Sequence, residues 1–208
     1  DVVPARHVLE QAIAINDRLG HENLGSLSYS HGFMPRQEPL KQLPSSHKAW
    51  DEVAAAIPYL FRTYAVRKVL GEMPTLSAAS TDLADDYLLR ASSLFSILAH
   101  LCWYCEPEPP EDGIPPQIQR PWEQISERLD RPAPHLAFTD LNSHNWHFIN
   151  PDIENPFSVE NLKLAIPMIG NEDERRFQMT PVELLYQFSP LMEAILTAQE
   201  AVLHDDPE

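Results

Sequence analysis

Residues 114–149 read IPPQIQRPWEQISERLDRPAPHLAFTDLNSHNWHFI, and prolines set their rhythm. Pro121 followed by Trp122-Glu123-Gln124-Ile125 predicts a helix start, because proline's fixed φ suits a first turn and its missing N–H is not needed there. Leu129 is the last apolar residue of that helix. Asp130-Arg131-Pro132-Ala133-Pro134 then holds the chain open, since a residue before proline avoids the right-handed helical region. Thr139 or Asp140 is a fitting N-cap for a second short helix, Leu141 to Phe148. Such a path would gather Trp122, Phe138, Trp146 and Phe148 into one wall of a pocket. An ordinary linker crossing a helical core accounts for the same residues.

Upstream, helical periodicity dominates. Pro4 to Leu19 places Val8, Leu9, Ala12, Ile13 and Ile15 on one side, with Gly20 as terminator. His21 to Pro44 lacks period and reads as an irregular arm. Ser45 or Ser46 starts a helix that buries Trp50, Val53, Ala54 and Ile57, and Pro58 ends or kinks it. A further helix runs from Pro58 to Leu70, stopped by Gly71 and Met73-Pro74. Ser80 or Thr81 opens the longest helix, to about Tyr104, with Tyr87, Ala91, Leu94, Phe95, Leu98 and Cys102 at helical spacing. Asp82, Asp85 and Asp86 at its start suit the helix dipole. Glu106 to Pro116 is a proline-acid connection.

Downstream, Leu162 to Ile169 is apolar but carries Pro167, and reads as extended. Arg175 to about His204 is helical, with Pro181 and Pro190 as starts or kinks. Leu184, Leu185, Phe188, Leu191, Met192, Ile195, Leu196 and Ala198 mark its apolar side. The pattern predicts an all-α fold with almost no strand.

Composition narrows function by exclusion. Fifteen Lys and Arg stand against 31 Asp and Glu, a net charge of −16. So acidic a surface argues against nucleic acid and anionic membrane as partners. No apolar run reaches membrane-spanning length and no secretory leader is read, which points to the cytoplasm. Cys102 and Cys105 sit late in a helix without a second ligand pair, and read as buried, reduced thiols. His144 and His147, one helical turn apart, could be half a metal site, but no third ligand stands at a telling spacing. His100 in the core helix is a hydrogen-bonded core histidine or, more sharply, a haem ligand. His135 between prolines is a linker hydrogen-bonder, and His7, His21, His31, His47 and His204 read as exposed or in loops. Nucleophile elbows and glycine-rich phosphate loops are absent. Arg175-Arg176 reads as a solvated helix start beside Glu172, Asp173 and Glu174, or as a carboxylate clamp.

The order of short motifs resembles the N-terminal half of the indoleamine 2,3-dioxygenase family. The matching pieces are Gly32-Phe33-Met34-Pro35, Pro39-Leu40, Leu43-Pro44, Trp50-Asp51-Glu52 and Ile57-Pro58-Tyr59-Leu60. Met73-Pro74, the Arg90 to Tyr104 helix, Ile114-Pro115-Pro116, Pro121 to Leu129, Pro134-His135-Leu136 and Asn145-Trp146 follow in order. The likeness runs from about Ser30 to His204. It implies a multi-helix haem-binding fold, incomplete at its C-terminus. Residues 1–120 would be a small helical domain with an irregular arm, and residues 121–208 the start of a large haem-binding domain.

The resemblance also implies a reaction. Family members bind tryptophan-like indoles beside ferrous haem b and insert both atoms of O₂ across the indole C2–C3 bond. It places Phe138, Leu141 and Asn142 on the distal side of the pocket, with Arg176, Phe177 and Thr180 from the helix after the acidic turn. Asn142 and Arg176 stand where the family has an apolar and an aromatic residue, and Pro181 departs too. No histidine here matches the proximal iron ligand, so a partner polypeptide or C-terminal segment would supply it. The rival expectations are a non-catalytic binding or assembly subunit of the same fold, and a related haem enzyme performing hydroxylation or rearrangement in secondary metabolism. In each, Leu184 to Leu203 presents an apolar face that needs a cover.

Overall fold

In the computed structural model, which describes residues 4–204, the axis of the fold is the helix Leu88–Tyr104. Every residue of it from Arg90 to Ala99 is buried. Its small residues, Ala91, Ser92, Ser93, Ser96 and Ala99, allow neighbours to approach on all sides. In chain order the helices are α1 (Ala5–Arg18), α2 (Lys48–Arg62), α3 (Val66–Glu72), α4 (Leu88–Tyr104), α5 (Pro116–Arg128), α6 (Phe138–Leu141), α7 (Glu172–Phe188) and α8 (Met192–Leu203). Two three-residue strands, β1 (Trp146–Phe148) and β2 (Leu162–Leu164), pair antiparallel with Trp146 opposite Leu164. The expected all-α class holds, with this one small ribbon added.

Two apolar clusters fill the interior. The larger packs α2, α3 and α5 around α4, with Trp50, Ile57, Leu70, Leu88, Leu94, Ile118 and Ile125 closed off from solvent. Trp50 meets the Phe95 ring edge-on at 4.6 Å, a geometry that aligns ring edge with π face. The smaller cluster joins the arm to the ribbon and α7 through Met34, Trp146, Leu162, Met179 and Val182. Phe148, Phe157 and Tyr186 wrap Trp146, the last two stacked at 4.0 Å.

Several sequence expectations give way to packing. Pro121 lies inside α5, which begins at Pro116, and Pro58 and Pro181 lie inside α2 and α7. Each proline removes one helical hydrogen bond, but buried side chains on both flanks keep the helix together. The helix expected from Pro58 breaks at Tyr64, whose φ of 51° is left-handed. Gly71 lies within α3 and does not end it. The turn before α4 is a short 3-10 segment, Asp85–Tyr87, so the expected long helix starts later.

Leu141 to Phe148 is not a helix: α6 stops at Leu141 and the chain turns into β1. Asn145 accounts for the change. Its side chain accepts from the Ile166 N–H at 2.7 Å and donates to the Ile166 carbonyl, adding a rung to the ribbon. His144 and His147 are therefore not one turn apart on a helix. Nor do Trp122, Phe138, Trp146 and Phe148 form one wall. Trp122 lies against the first cluster, Trp146 and Phe148 belong to the second, and Phe138 faces solvent.

The histidines also move. His21 and His47 are buried, and each Nε2 meets a backbone carbonyl, of Asp85 at 2.7 Å and of Ser77 at 2.9 Å. His100 is exposed and leans on Tyr104, 4.6 Å away, instead of lying in the core. Cys102 and Cys105 are free and buried, and burial pushes both thiols up, Cys105 to about 11.

The linker between α5 and α6 is fixed by one carboxylate. Asp140 is fully buried and accepts from the Ser92 hydroxyl (2.8 Å), the Arg131 guanidinium (3.0 Å) and the Ala137 N–H (3.0 Å). Arg131 also donates to Ser92 at 2.8 Å. Helix α4, the linker and α6 thus meet at one charge pair whose valences are met. Asp140→Ala leaves Arg131 uncompensated and should lower unfolding stability by about 3–5 kcal/mol, measured by urea unfolding. A loss within ~1 kcal/mol would show that the network is dispensable.

His144 and His147 tie the arm to the ribbon. His144 Nε2 donates to the Leu24 carbonyl at 3.1 Å, and His147 Nδ1 lies 3.2 Å from the Glu38 carboxylate. Burial lowers both rings from 6.5 to about 4, against the pull of Asp140 on His144 and of Glu38 on His147; Arg131 and His21 beside the first, and Arg90 and Lys41 beside the second, add to the lowering. The unfolded chain takes up protons as the pH falls through 6.5, whereas the fold does so only near 4. Stability should therefore fall between those values, by at most about 3 kcal/mol per ring. Chemical denaturation across that window should show the slope, and His144→Gln should remove about half of it, the His147 share remaining.

Candidate functional site

Two elements of this scaffold carry exposed apolar side chains on fixed backbone. The first is α6, held from below by Asp140. Phe138 opens it and is 55 % exposed, while Leu141 on its other side packs against the larger cluster. The second is α7. Its start is set by Asn171, whose side chain accepts from the Glu174 N–H at 2.8 Å. Glu174 is buried and its carboxylate accepts from three successive N–H groups, of Met168, Ile169 and Gly170, at 2.7, 3.0 and 2.7 Å. Gly170 adopts φ 77°, and a Cβ there would lie 2.9 Å from Pro58. The tight turn and the helix start are locked together.

From this start, Phe177 (78 % exposed) and Leu184 (62 % exposed) project from α7. Phe188, Leu191 and Ile195 continue the series into α8 at helical spacing, and all are exposed. The other side of the same helices is buried through Met179, Val182, Met192 and Leu196. The apolar face expected of Leu184 to Leu203 is present. Leu184, Phe188, Leu191 and Ile195, expected on the core side, lie on the outer one instead.

The six residues singled out from the sequence meet different fates. Phe138 and Phe177 are presented to solvent, and Leu141 is partly covered. Asn142 is buried and its amide donates to the Gln178 carbonyl at 3.0 Å and side chain at 3.2 Å, which fastens the end of α6 to α7. Arg176 is exposed and shared between Glu172 at 2.8 Å and Glu160 at 3.1 Å. Arg175 and Arg176 hold the Glu172 carboxyl down to about 2. Thr180 is exposed and its hydroxyl donates to the Arg176 carbonyl at 2.8 Å. On α7 the exposed Phe177 ring thus stands next in the chain to the paired charges of Arg176.

Sequence reading missed Glu174 and Glu38. Glu172, Asp173 and Glu174 read alike as part of a solvated helix start, and only burial singles out Glu174. Glu38 lies in an arm without period, and its role comes from contacts with Phe148 N and His147 more than a hundred residues away. Phe157 and Tyr186 were equally invisible, because stacking between a loop and a helix leaves no local pattern.

Among the described residues, no three His, Cys, Asp or Glu side chains converge on a metal-sized site. The imidazoles of His21, His47, His135 and His144 meet backbone carbonyls, and His147 lies against Glu38. No helix is long and apolar enough to cross a membrane among these residues.

Comparison with known proteins gives the surface its context. The family model for indoleamine 2,3-dioxygenase matches residues 26–208. The chain is 27% identical over 173 residues to indoleamine 2,3-dioxygenase 1 of Rattus norvegicus, covering 82% of this chain and 41% of that protein. It is 25% identical over 182 residues to indoleamine 2,3-dioxygenase 2 of Homo sapiens, covering 88% of this chain and 44% of that protein. The chain thus spans about two-fifths of the length of these relatives. The match takes in α2 through α8, the ribbon and both exposed aromatic elements, and by it the chain belongs to the indoleamine 2,3-dioxygenase family.

Proposed function

We propose that this chain forms the distal wall of a haem-dependent oxygenase that acts on an indole or related aromatic amino-acid derivative with O₂. The observation that carries the reading is that Phe138 on α6 and Phe177 and Leu184 on α7 are uncharged and solvent-facing, on elements that Asn142 and Gln178 tie together and that the Asp140 and Glu174 networks fix. Family membership supplies the chemistry that such a surface would serve. Haem b, when bound, supplies the iron centre at which O₂ reacts.

The residues present fit one half of that role. A flat apolar group such as a porphyrin face or an indole suits a wall of two phenyl rings and a leucine. An iron ligand is a different matter, since none of the exposed residues of the wall named above is a histidine or cysteine. The proximal ligand would come from protein outside residues 1–208, either a further segment or a second polypeptide. In this proposal residues 1–120 are the small helical domain and residues 121–208 open the large one.

Each side chain then has a definite task. Phe138 and Phe177 exclude water and contact the substrate ring, while Leu141 anchors α6 on the larger cluster. Asn142 sets the spacing between α6 and α7 through Gln178. Thr180 spends its proton on the Arg176 carbonyl, so it offers only lone pairs to a substrate N–H. Arg176 would meet a substrate carboxylate by exchanging the Glu172 carboxylate for it, like group for like.

The lack of an iron ligand among these wall residues and the departures at Asn142 and Arg176 favour a second reading, a non-catalytic binding or assembly subunit of the same fold. Turnover decides between them. Intact protein with all co-purifying chains, supplied with tryptophan or indole and ¹⁸O₂, should yield a product heavier by both oxygen atoms. Incorporation of one atom or a rearranged product would replace dioxygenation with a related haem reaction. No turnover in haem-loaded protein would leave the binding subunit. Phe138→Ala should raise KM about tenfold, the loss of ~1.4 kcal/mol of ring contact, with little change in Tm because the ring is exposed in the fold. A Tm loss worth ~3–5 kcal/mol instead would make Phe138 a core residue.

A further inference from the structure

One cleft is lined by none of Phe138, Phe177 and Leu184. It is bounded by the last turns of α4, by α5 and by the proline linker, and holds about 470 Å³. His100, Trp103 and Tyr104 form one side, Trp122 another, and Pro134 with Leu136 close the third. Its walls stand on well-anchored backbone, since α4 and α5 form the larger core and Trp122 is only 8 % exposed. Trp103 and Tyr104 are 41 % and 73 % exposed. Large aromatic side chains so placed, around a hollow, are the ordinary furniture of ligand sites.

Charge gives this cleft its character. None of the residues that line it is Asp, Glu, Lys or Arg. The four other clefts described in the fold all contain charged side chains, such as Glu123 and Asp130, Asp17 and Arg36, Arg131, or Arg67 and Glu108. That is a sharp contrast in a chain with a net charge of −16. The lone titratable imidazole, His100, is pushed below its ordinary 6.5 by partial burial, which favours its neutral form. Trp122 adds a polar handle: its indole N–H is shielded and has no acceptor among the described residues. A volume of this size holds one small molecule of one or two rings.

We propose that the cleft between α4 and α5, lined by His100, Trp103, Tyr104 and Trp122, is a binding site for a neutral planar aromatic molecule bearing a hydrogen-bond acceptor. Ring faces pack on Trp103 and Tyr104, and the acceptor takes the orphan N–H of Trp122 once that ring turns its shielded edge to the cleft as the ligand seats. A carboxylated ligand is disfavoured, because no cation lines the cleft and the surrounding surface is strongly acidic. This site is independent of the haem proposal and survives its failure.

The test is a titration of intact protein with quinoline, a neutral bicyclic ring with one acceptor nitrogen, followed on the ¹⁵N-labelled indole N–H resonances. The Trp122 resonance should shift saturably, and the Trp103 resonance with it. Trp103→Ala and Tyr104→Ala alter exposed side chains, so both variants should fold with unchanged Tm and bind quinoline at least tenfold more weakly. Quinoline-2-carboxylate should bind at least tenfold more weakly than quinoline to the unaltered protein. Absence of a saturable Trp122 shift would overturn the site. So would weakening by Phe138→Ala in place of Trp103→Ala, which would assign the binding to the wall. Equal affinity for the carboxylate would overturn the stated selectivity, and a protein chain found seated on Trp103 and Tyr104 would make the cleft an interface.

Discussion

The fold of this chain turns on a charge that has no access to water. Asp140 lies at the meeting point of α4, the proline linker and α6, and a bare carboxylate there would be untenable. Ser92, Arg131 and the Ala137 N–H make it tenable. Because the network is complete, it fixes one geometry: α6 can start only where Asp140 can reach all three donors. Phe138 is presented to solvent as a result. The Glu174 carboxylate does the same for α7, gathering three backbone N–H groups and so setting where Phe177 and Leu184 emerge. Two buried acids therefore define the surface by which the chain is expected to act.

Helical periodicity was legible along most of the chain. Trp50, Ile57, Leu94 and Phe95 are buried where their spacing places them, and the all-α class follows from that alone. Prolines were harder to read. Pro58, Pro121 and Pro181 signal a boundary locally, yet each lies within a helix whose packing outweighs one lost hydrogen bond. Of the ribbon, β2 lies in the stretch that reads as extended, but β1 was illegible because a strand that short has no visible alternation, and the pairing is reinforced by Asn145 bonding Ile166 across twenty residues.

The site was legible in a different way. Periodicity alone marked α7 and α8 as apolar on one side, without saying that Phe188, Leu191 and Ile195 face outward. Motif order supplied the family, and with it Phe138 and Phe177. The roles of Asn142 and Arg176 needed coordinates, because both depend on partners elsewhere in the chain: Gln178 for the first, Glu160 for the second. The buried histidines make the same point. His21 reads as a loop residue and His144 and His147 as neighbours on a helix, and their long-range partners turn all three into fasteners between the arm and the rest. That leaves His100, Trp103 and Tyr104 as an outward-facing group with no part in the core.

The account's central claim is that the apolar wall of α6 and α7 belongs to a haem site. A visible absorption spectrum of the protein as isolated, with every co-purifying chain retained, tests it most directly. The account predicts a Soret band that shifts on reduction with dithionite and again on addition of CO. A featureless visible region that stays so after hemin is supplied would contradict it.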